Sequence, residues 1–276
     1  MLCGSRSAGS QQSGRTEDRA VSNVTIDINS DLGESEESLA HGTDYELMRY
    51  ITSANVACGG HAGDERTMRE TVRIAKKLNV AVGAHPGYPD RANFGRCEIS
   101  MVGADIEATV RDQIAALAEI AESLGVQLVH CKPHGALYHA SNKSAEVAAA
   151  IGRAVLESDE QLVMVGQAGS SMLTLWESMG LTCAAEAFAD RAYEPDGILR
   201  NRKLPGALVE DPAKAAQQAQ DIAVRHIAIA TDGSELRVDA GTICIHSDTP
   251  GSVAIARAVN EALKRAGVVV RSLSGA

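Results

Sequence analysis

Aromatic side chains are scarce in this 276-residue sequence: they make up 3% of it, with one tryptophan and two phenylalanines. A core without them has to be filled by Ala, Val, Ile and Leu, which is typical of Ala-rich helices packed on parallel strands. Positive charge is also in the minority, with 26 Lys and Arg against 36 Asp and Glu, and no basic cluster is interleaved with aromatics. The net charge of −10 therefore argues against a nucleic-acid partner.

Cysteines with metal-ligand or disulfide-framework spacing are missing too. The six cysteines include no CxxC pair, and a chain of this length needs no disulfide staples. We therefore expect free thiols and a cytoplasmic protein. No apolar run approaches the roughly 18 residues that a transmembrane helix requires, so we expect no membrane association.

Three common active-site signatures are absent. The sequence has neither a GxxxxGK[ST] phosphate loop nor a GxGxxG fingerprint, so it carries no recognisable nucleotide cradle of its own. It also lacks the GxSxG elbow of serine hydrolases.

The first 22 residues are rich in Ser, Gly, Gln and Arg and contain almost no apolar side chain. Such a segment buries too little surface to offset its ordering entropy, and it has no signal-peptide core. We expect a disordered leader over residues 1–22 and a single domain over residues 23–276, a length within the range of one α/β barrel.

The stretch from His130 to His139 holds three imidazoles, a thiol, an ammonium and a phenol in ten positions, directly after an apolar run at 126–129. That run is typical of a buried strand. Pro133 cannot donate a ladder hydrogen bond, so the strand should end there and release polar groups at its C-terminal end. In parallel α/β proteins, ligands and catalytic groups collect at that end.

Polar side chains follow other apolar runs in the same way, and about seven strand–loop–helix units alternate along the chain. A closed barrel would bring the polar strand ends to one mouth, whereas an open sheet would spread them along an edge. The sequence therefore predicts an α/β fold, an irregular (β/α) barrel, with a doubly wound sheet as the alternative. The polar groups at the strand ends are Asp31, His61, His85, Lys132 with His134, Glu186 with Asp190, and His246 with Asp248.

Short sequence patterns predict the starts of two helices and one small segment outside the strand–helix alternation. Asp64 is a candidate N-cap for the helix that carries Met68, and Thr249 is a candidate N-cap with Pro250 as the first helical residue. Residues 227–240 are predicted to form a small polar excursion or a hairpin.

A mouth with these side chains suits polar hydrolysis or the binding of a divalent metal. No HExxH motif is present, and His130 and His134 straddle a proline and cannot share a helical face. The candidate ligands for zinc or manganese are Asp31, His61, His85 and His246.

Six blocks of the sequence resemble the LamB/YcsF family, which supplies one component of the ATP-dependent bacterial 5-oxoprolinase, its A subunit, over nearly all of residues 24–262. Ser30 stands where the family often has Cys, His139 where Asn is usual, and Ser247 where Gly is common. The matching blocks are 27–34, 53–64, 83–90, 132–138, 186–193 and 246–251.

The resemblance implies a seven-stranded barrel of the glycoside hydrolase/deacetylase type. It also implies hydrolysis of the cyclic amide 5-oxoproline to L-glutamate, with ATP as co-substrate and with partner subunits B and C; a homo-oligomer is a further expectation. A five-membered lactam is a resonance-stabilised amide. Phosphorylation of its oxygen on another subunit would activate it, and this chain would then add water.

Residue chemistry suggests roles for the matching positions. Asp31 or Asp190 would be the general base, with a pKa raised by burial among carboxylates. His134 would carry the proton to the ring nitrogen, while Lys132 and Arg191 would hold the phosphorylated oxygen or the substrate carboxylate. The other residues expected to bind and orient the substrate are Asn29, Asn55, His61, His85, Glu186 and His246.

Simpler interpretations stay open. Asp190 and Arg191 could merely pair with each other, and Glu186 could cap a loop. A rival function is a metal-dependent deacetylase or amidohydrolase acting on a carbohydrate or an amino acid amide. A second rival is a regulatory or lactam-carrier subunit that binds without cleaving.

Overall fold

Seven of the ten strands are parallel and close into a barrel in this computed structural model, which describes residues 24–273. The predicted leader lies outside the described residues. The strands are β1 (Thr25–Leu32), β2 (Ser53–Ala57), β3 (Ala81–His85), β4 (Leu128–Cys131), β5 (Val163–Gln167), β6 (Cys183–Phe188), β7 (Ile227–Ile229), β8 (Glu235–Arg237), β9 (Thr242–Cys244) and β10 (Val269–Val270).

Strand β1 closes the barrel because it has a parallel partner on each side. Its Asn29 pairs in register with Ser53 of β2, and its Asp27 pairs with Thr242 of β9. The barrel order is β1-β2-β3-β4-β5-β6-β9, and β10 extends β1 at Thr25 and Ile26. This closure confirms the predicted seven-stranded barrel over the doubly wound alternative.

Helices surround the barrel and cover its outer face. Among the described residues they are α1 (Glu36–Ala40), α2 (Thr43–Met48), α3 (Glu65–Leu78), α4 (Gly103–Ser123), α5 (Gly135–Lys143), α6 (Ala145–Ser158), α7 (Ser171–Ser178), α8 (Pro212–Gln220) and α9 (Ser252–Arg265). A π-helical turn, Asp221–Arg225, continues α8. None of these helices combines the length and the apolar character needed to cross a bilayer.

The predicted start of α3 is confirmed and that of α9 is wrong. Asp64 forms a capping box with Thr67 at the start of α3. Helix α9 begins at Ser252 after Gly251 rather than at Pro250. The hydroxyl of Thr249 instead donates to Asp190 Oδ2 at 2.6 Å. Because it makes this tertiary hydrogen bond, the hydroxyl does not cap the helix as the local sequence pattern predicted. The hairpin predicted within 227–240 is confirmed as the antiparallel pair β7 and β8.

The interior of the barrel is polar on the β1 side. Strand β1 extends to Leu32, so Asp31, which was expected at the end of this strand, lies within it. Because side chains alternate along a strand, Asp27, Asn29 and Asp31 share one face. That face points inward, where Asn29 Nδ2 donates to Thr242 Oγ1 at 2.7 Å and Asp31 accepts from Asn55 Nδ2 at 2.8 Å.

Gly83 in β3 makes room for a buried imidazole. The His130 side chain is fully buried and its Nε2 lies 2.7 Å from Asn55 Oδ1, while a Cβ added at Gly83 would lie 2.2 Å from that same Nε2. We expect Gly83→Ala to lower the free energy of unfolding by about 1–3 kcal/mol, because the ring cannot move away without losing its hydrogen bond. Urea denaturation measures this.

The matched control is Gly241→Ala. A Cβ added at that exposed glycine meets no atom of the described part of the chain within 4 Å, so the unfolding midpoint of this variant should stay at the wild-type value. Equal stability of the two variants would contradict the packing argument.

Candidate active site

Lys132 lies at the centre of the mouth, just beyond the end of β4. Its side chain is 4% exposed, and Nζ lies 3.0 Å from Asp31 Oδ1 and 2.8 Å from Glu186 Oε1. Burial alone would lower the pKa of Lys132, but the neighbouring carboxylates raise it well above its usual value. The side chain is therefore a cation at neutral pH. Its contacts to Asn29 Oδ1 and Cys244 Sγ are longer, at 3.2 Å each.

Asp31 is an anion that holds this ammonium in place. Although burial opposes its charge, His85 and Lys132 keep the pKa of Asp31 well below its usual range. The expectation of a raised pKa is therefore wrong for Asp31, because its neighbours in the mouth are mainly cations and donors rather than carboxylates. A carboxylate in this state is a poor proton acceptor at neutral pH.

A second group, which we call the histidine wall, consists of Glu34, His61, His85 and His134. One ligand atom from each lies within 4.8 Å of the others. Glu34 Oε1 is 3.1 Å from His61 Nε2 and 3.3 Å from His134 Nδ1. Burial and the nearby charge of Asp31 raise the pKa of Glu34 to about 7.

Glu34 was not among the predicted site residues. It lies in the matching block 27–34, three positions after Asp31, and the signal for it was the intervening Gly33. That glycine has φ 71° and turns the chain so that the next side chain comes back over the mouth.

His246 and Asp190 form a hydrogen-bonded pair on the other side of the mouth. Asp190 accepts from the His246 backbone N–H at 2.9 Å and lies 3.0 Å from His246 Nδ1. Despite complete burial, the charge and hydrogen bonds of His246 lower the pKa of Asp190, so its predicted rise is also wrong. Asp190 does not line the cavity described below, whereas His246 does. His246 Nε2 makes no hydrogen bond to another residue of the range 24–273.

Arg191 is a buried cation without a carboxylate partner among the described residues. It is 5% exposed, and its Nη2 donates to the backbone carbonyl of Arg200 at 2.7 Å. Burial and the positive charge of Arg202 lower the pKa of Arg191 to about 10. Asp190 bonds His246 and Thr249 rather than this guanidinium, so the simple Asp190–Arg191 pair is not formed.

These groups surround a cavity of about 490 Å³ at the C-terminal ends of the strands. Its rim is tied together by Asp248, which accepts from Arg202 at 2.8 Å and also contacts Arg96. Among the residues lining the cavity are Asp31, Glu34, His85, Lys132, His134, Tyr138, Glu186, Arg191 and His246.

Three predicted substrate-binding residues lie beneath the cavity and do not line it. Asn29 and Asn55 are buried inside the barrel and hydrogen-bonded to each other. His61 stacks on His134, with ring centroids 3.6 Å apart. Glu186 does line the cavity, where it pairs with Lys132 and accepts from Tyr138 Oη at 2.9 Å rather than capping a loop.

The predicted metal ligands do not form one set. His61 and His85 lie with Glu34 and His134 in the histidine wall, whereas His246 lies with Asp31 and Cys244. Within residues 24–273, two separate groups could therefore hold an ion, and neither is the set of four that the sequence suggested.

Asp44 links this site to the stability of the fold. The residue is 1% exposed and accepts from the Gly33 N–H at 3.0 Å, and burial raises its pKa from 3.8 to about 6. The folded state thus holds this proton more tightly than the unfolded chain. We expect its contribution to lower the free energy of unfolding by about 3 kcal/mol as the pH rises from about 4 to about 6.

Urea unfolding at pH 4, 5, 6 and 7 isolates this contribution by comparing wild type with Asp44→Asn. The fall should be about 3 kcal/mol smaller in this variant, in which Glu34 still titrates with its raised pKa, while Asp112→Asn, at a side chain that is 77% exposed, should keep the wild-type fall. A wild-type pH dependence in Asp44→Asn would show that another group is responsible.

Comparison with known proteins places the chain in a family. The A subunit of 5-oxoprolinase from Chloroflexus aggregans is 48% identical over 249 residues, which cover 90% of this chain and 99% of that protein. That of Pyrococcus abyssi is 47% identical over 251 residues, covering 90% and 97%. The crystal structure of the lactam utilization protein from Thermus thermophilus matches with a TM-score of 0.85 and 42% identity, covering 90% of this chain and 100% of that one.

The match to the LamB/YcsF family extends over residues 26–276, which include every residue of the mouth and all of the barrel strands except Thr25. The chain therefore belongs to the LamB/YcsF family.

Proposed function

We propose that this chain hydrolyses the ring of 5-oxoproline to L-glutamate as the A subunit of an ATP-dependent 5-oxoprolinase. The observation that carries the proposal is the arrangement of two buried cations, Lys132 and Arg191, and the His246–Asp190 pair around one cavity. A small anion with a polar ring matches these groups. The relatives, named as a lactam utilization protein and as the 5-oxoprolinase A subunit, support the same substrate class.

ATP would act on other subunits in this proposal. The chain has no phosphate loop, and an unactivated lactam nitrogen is a poor leaving group. A partner subunit, B or C, would phosphorylate the lactam oxygen and deliver the product to this mouth. We place the complex in the cytoplasm, where an exposed thiol such as Cys97 stays reduced.

The cations would position the activated ring. Arg191 would bind the substrate carboxylate, which supplies the anionic partner that its guanidinium lacks among the described residues. Lys132 would bind the phosphorylated oxygen by exchanging its two long contacts, to Asn29 and Cys244, for the substrate. Asp31 and Glu186 hold the ammonium, and Asn55, which is also bonded to Asn29, supports Asp31 from below.

His246 would carry the protons. Asp190 holds its Nδ1, which leaves Nε2 to accept a proton from water as the water oxygen bonds to the ring carbon. His246 would return that proton to the ring nitrogen, and would then take the proton of the new hydroxyl group and pass it to the same nitrogen as the carbonyl forms and the C–N bond breaks. The product is a γ-acyl phosphate, which a second water converts to glutamate and phosphate.

These assignments change the proton-transfer roles that were predicted for Asp190 and His134, as well as that of Asp31. Asp190 acts through His246 because it does not reach the cavity. His134 has both ring nitrogens engaged, Nε2 with the Phe94 carbonyl at 2.9 Å and Nδ1 with His85 Nε2 at 2.9 Å, so we assign it no proton transfer.

The test is glutamate released from 5-oxoproline by the chain alone and by the chain mixed with subunits B and C, each with and without ATP. We expect glutamate only in the complete mixture with ATP. Release by the chain alone without ATP would favour a simple amidohydrolase. No release in any mixture, with partners shown to be active beside the A component of another species, would refute the proposal.

A further inference from the structure

The histidine wall contains three atoms arranged as metal ligands are. His85 Nε2 and His134 Nδ1 lie 2.9 Å apart, and Glu34 Oε1 lies 3.3 Å from His134 Nδ1 and 3.8 Å from His85 Nε2. Two ligands at about 2.0–2.1 Å from a zinc ion, at right or tetrahedral angles, are separated by about 2.9–3.4 Å. Two of the three separations match, and a small rotation of the Glu34 carboxylate closes the third.

The backbone contacts of the two imidazoles decide which nitrogens carry protons. His85 Nδ1 is 2.7 Å from the Lys132 carbonyl, and His134 Nε2 is 2.9 Å from the Phe94 carbonyl. A carbonyl oxygen only accepts, so each of these nitrogens must donate. The two nitrogens that face each other, His85 Nε2 and His134 Nδ1, can therefore share one cation, which is either the proton that makes His85 a cation beside Asp31 or a metal ion that replaces it.

His61 cannot join the other two imidazoles as a ligand. Its ring is parallel to that of His134, with centroids 3.6 Å apart and planes inclined by 4°. An imidazole donates its lone pair in the ring plane, so an ion shared by two stacked rings would lie well outside at least one plane. His61 Nε2 instead donates to Glu34 Oε1 at 3.1 Å and orients that carboxylate.

We propose that Glu34, His85 and His134 bind one divalent transition metal ion, with zinc as the reference ion. Two imidazoles and one carboxylate, with a remaining position open to the cavity, are a ligand set of the catalytic type. Each ligand is held from behind by a hydrogen bond: His85 by the Lys132 carbonyl, His134 by that of Phe94, and Glu34 by His61. Supporting groups of this kind are usual in metal sites. Such an ion would polarise an oxygen atom in the cavity.

The experiment measures binding alone, so its outcome is independent of glutamate formation. The full chain is stripped with a chelator and titrated with Zn²⁺ by calorimetry, and with Co²⁺ by visible absorption. We expect one ion per chain and a Co²⁺ spectrum of a nitrogen- and oxygen-ligated site. His85→Ala and His134→Ala should each weaken Zn²⁺ binding at least 100-fold, and His61→Ala by about 10–100-fold.

Surface histidines supply the matched controls. His41→Ala and His226→Ala remove imidazoles that are 70% and 47% exposed, and both should keep wild-type affinity. Circular dichroism shows whether each variant is folded, and Zn²⁺ should raise the melting temperature of stripped wild type. The proposal fails if stripped wild type binds no ion, which would leave a shared proton between His85 and His134, or if folded His85→Ala and His134→Ala bind as wild type does.

Discussion

Replacing Lys132 by methionine is expected to lower glutamate formation by the reconstituted complex by about 100–1000-fold, because the variant keeps the length of the side chain but removes the cation that holds the substrate oxygen. The same change leaves Asp31 and Glu186 buried without their shared partner. We therefore also expect a loss of about 3–5 kcal/mol in the free energy of unfolding. Steady-state kinetics and urea denaturation measure the two effects.

A double variant separates catalysis from stability. Lys132→Met combined with Glu186→Gln removes one unpaired buried charge, so it should recover part of the stability without recovering activity. The control Lys264→Met alters an exposed lysine of α9 and should change neither quantity. Activity that returns together with stability would show that Lys132 acts only on the fold.

Replacing Asp190 by asparagine is expected to lower kcat by about 100–10,000-fold with a small change in KM. The asparagine amide would be placed against His246 Nδ1 and would favour the tautomer that has a proton on Nε2, where the mechanism needs a lone pair. The geometry of the mouth should persist, because the amide oxygen still accepts from the His246 backbone N–H, which lies 2.9 Å from Asp190 in wild type. The pH profile of kcat should therefore change in shape as well as in height.

The protein has a matched surface pair for this experiment. His226 Nδ1 lies 3.2 Å from Asp239 Oδ1, where both side chains are about half exposed. Asp239→Asn should leave kcat and its pH profile at wild-type values. An unchanged kcat in Asp190→Asn would refute the role of His246, and a uniform loss at every pH would reduce Asp190 to a structural residue.

The amino-acid sequence by itself determined the architecture. Short apolar runs of β-branched residues alternate with amphipathic helices, and this alternation specifies parallel strands whatever their final neighbours. Polar groups directly after the runs also located the mouth, because all parallel strands of a barrel end on the same side. Lys132, Asp31 and His246 were found in this way.

Partnerships within the mouth were decided by the tertiary structure alone. Asp190 pairs with His246, 56 positions away, rather than with the adjacent Arg191, and Lys132 meets Asp31 across 101 positions. Tertiary contacts also lower the pKa values of Asp31 and Asp190, which were expected to be raised. They engage the Thr249 hydroxyl in a hydrogen bond to Asp190 instead of a helix cap, and they place Glu34 beside the three histidines of the histidine wall. The physical reason is that hydrogen bonds act over about 3 Å, and only barrel closure and strand register bring residues from different strands to that distance.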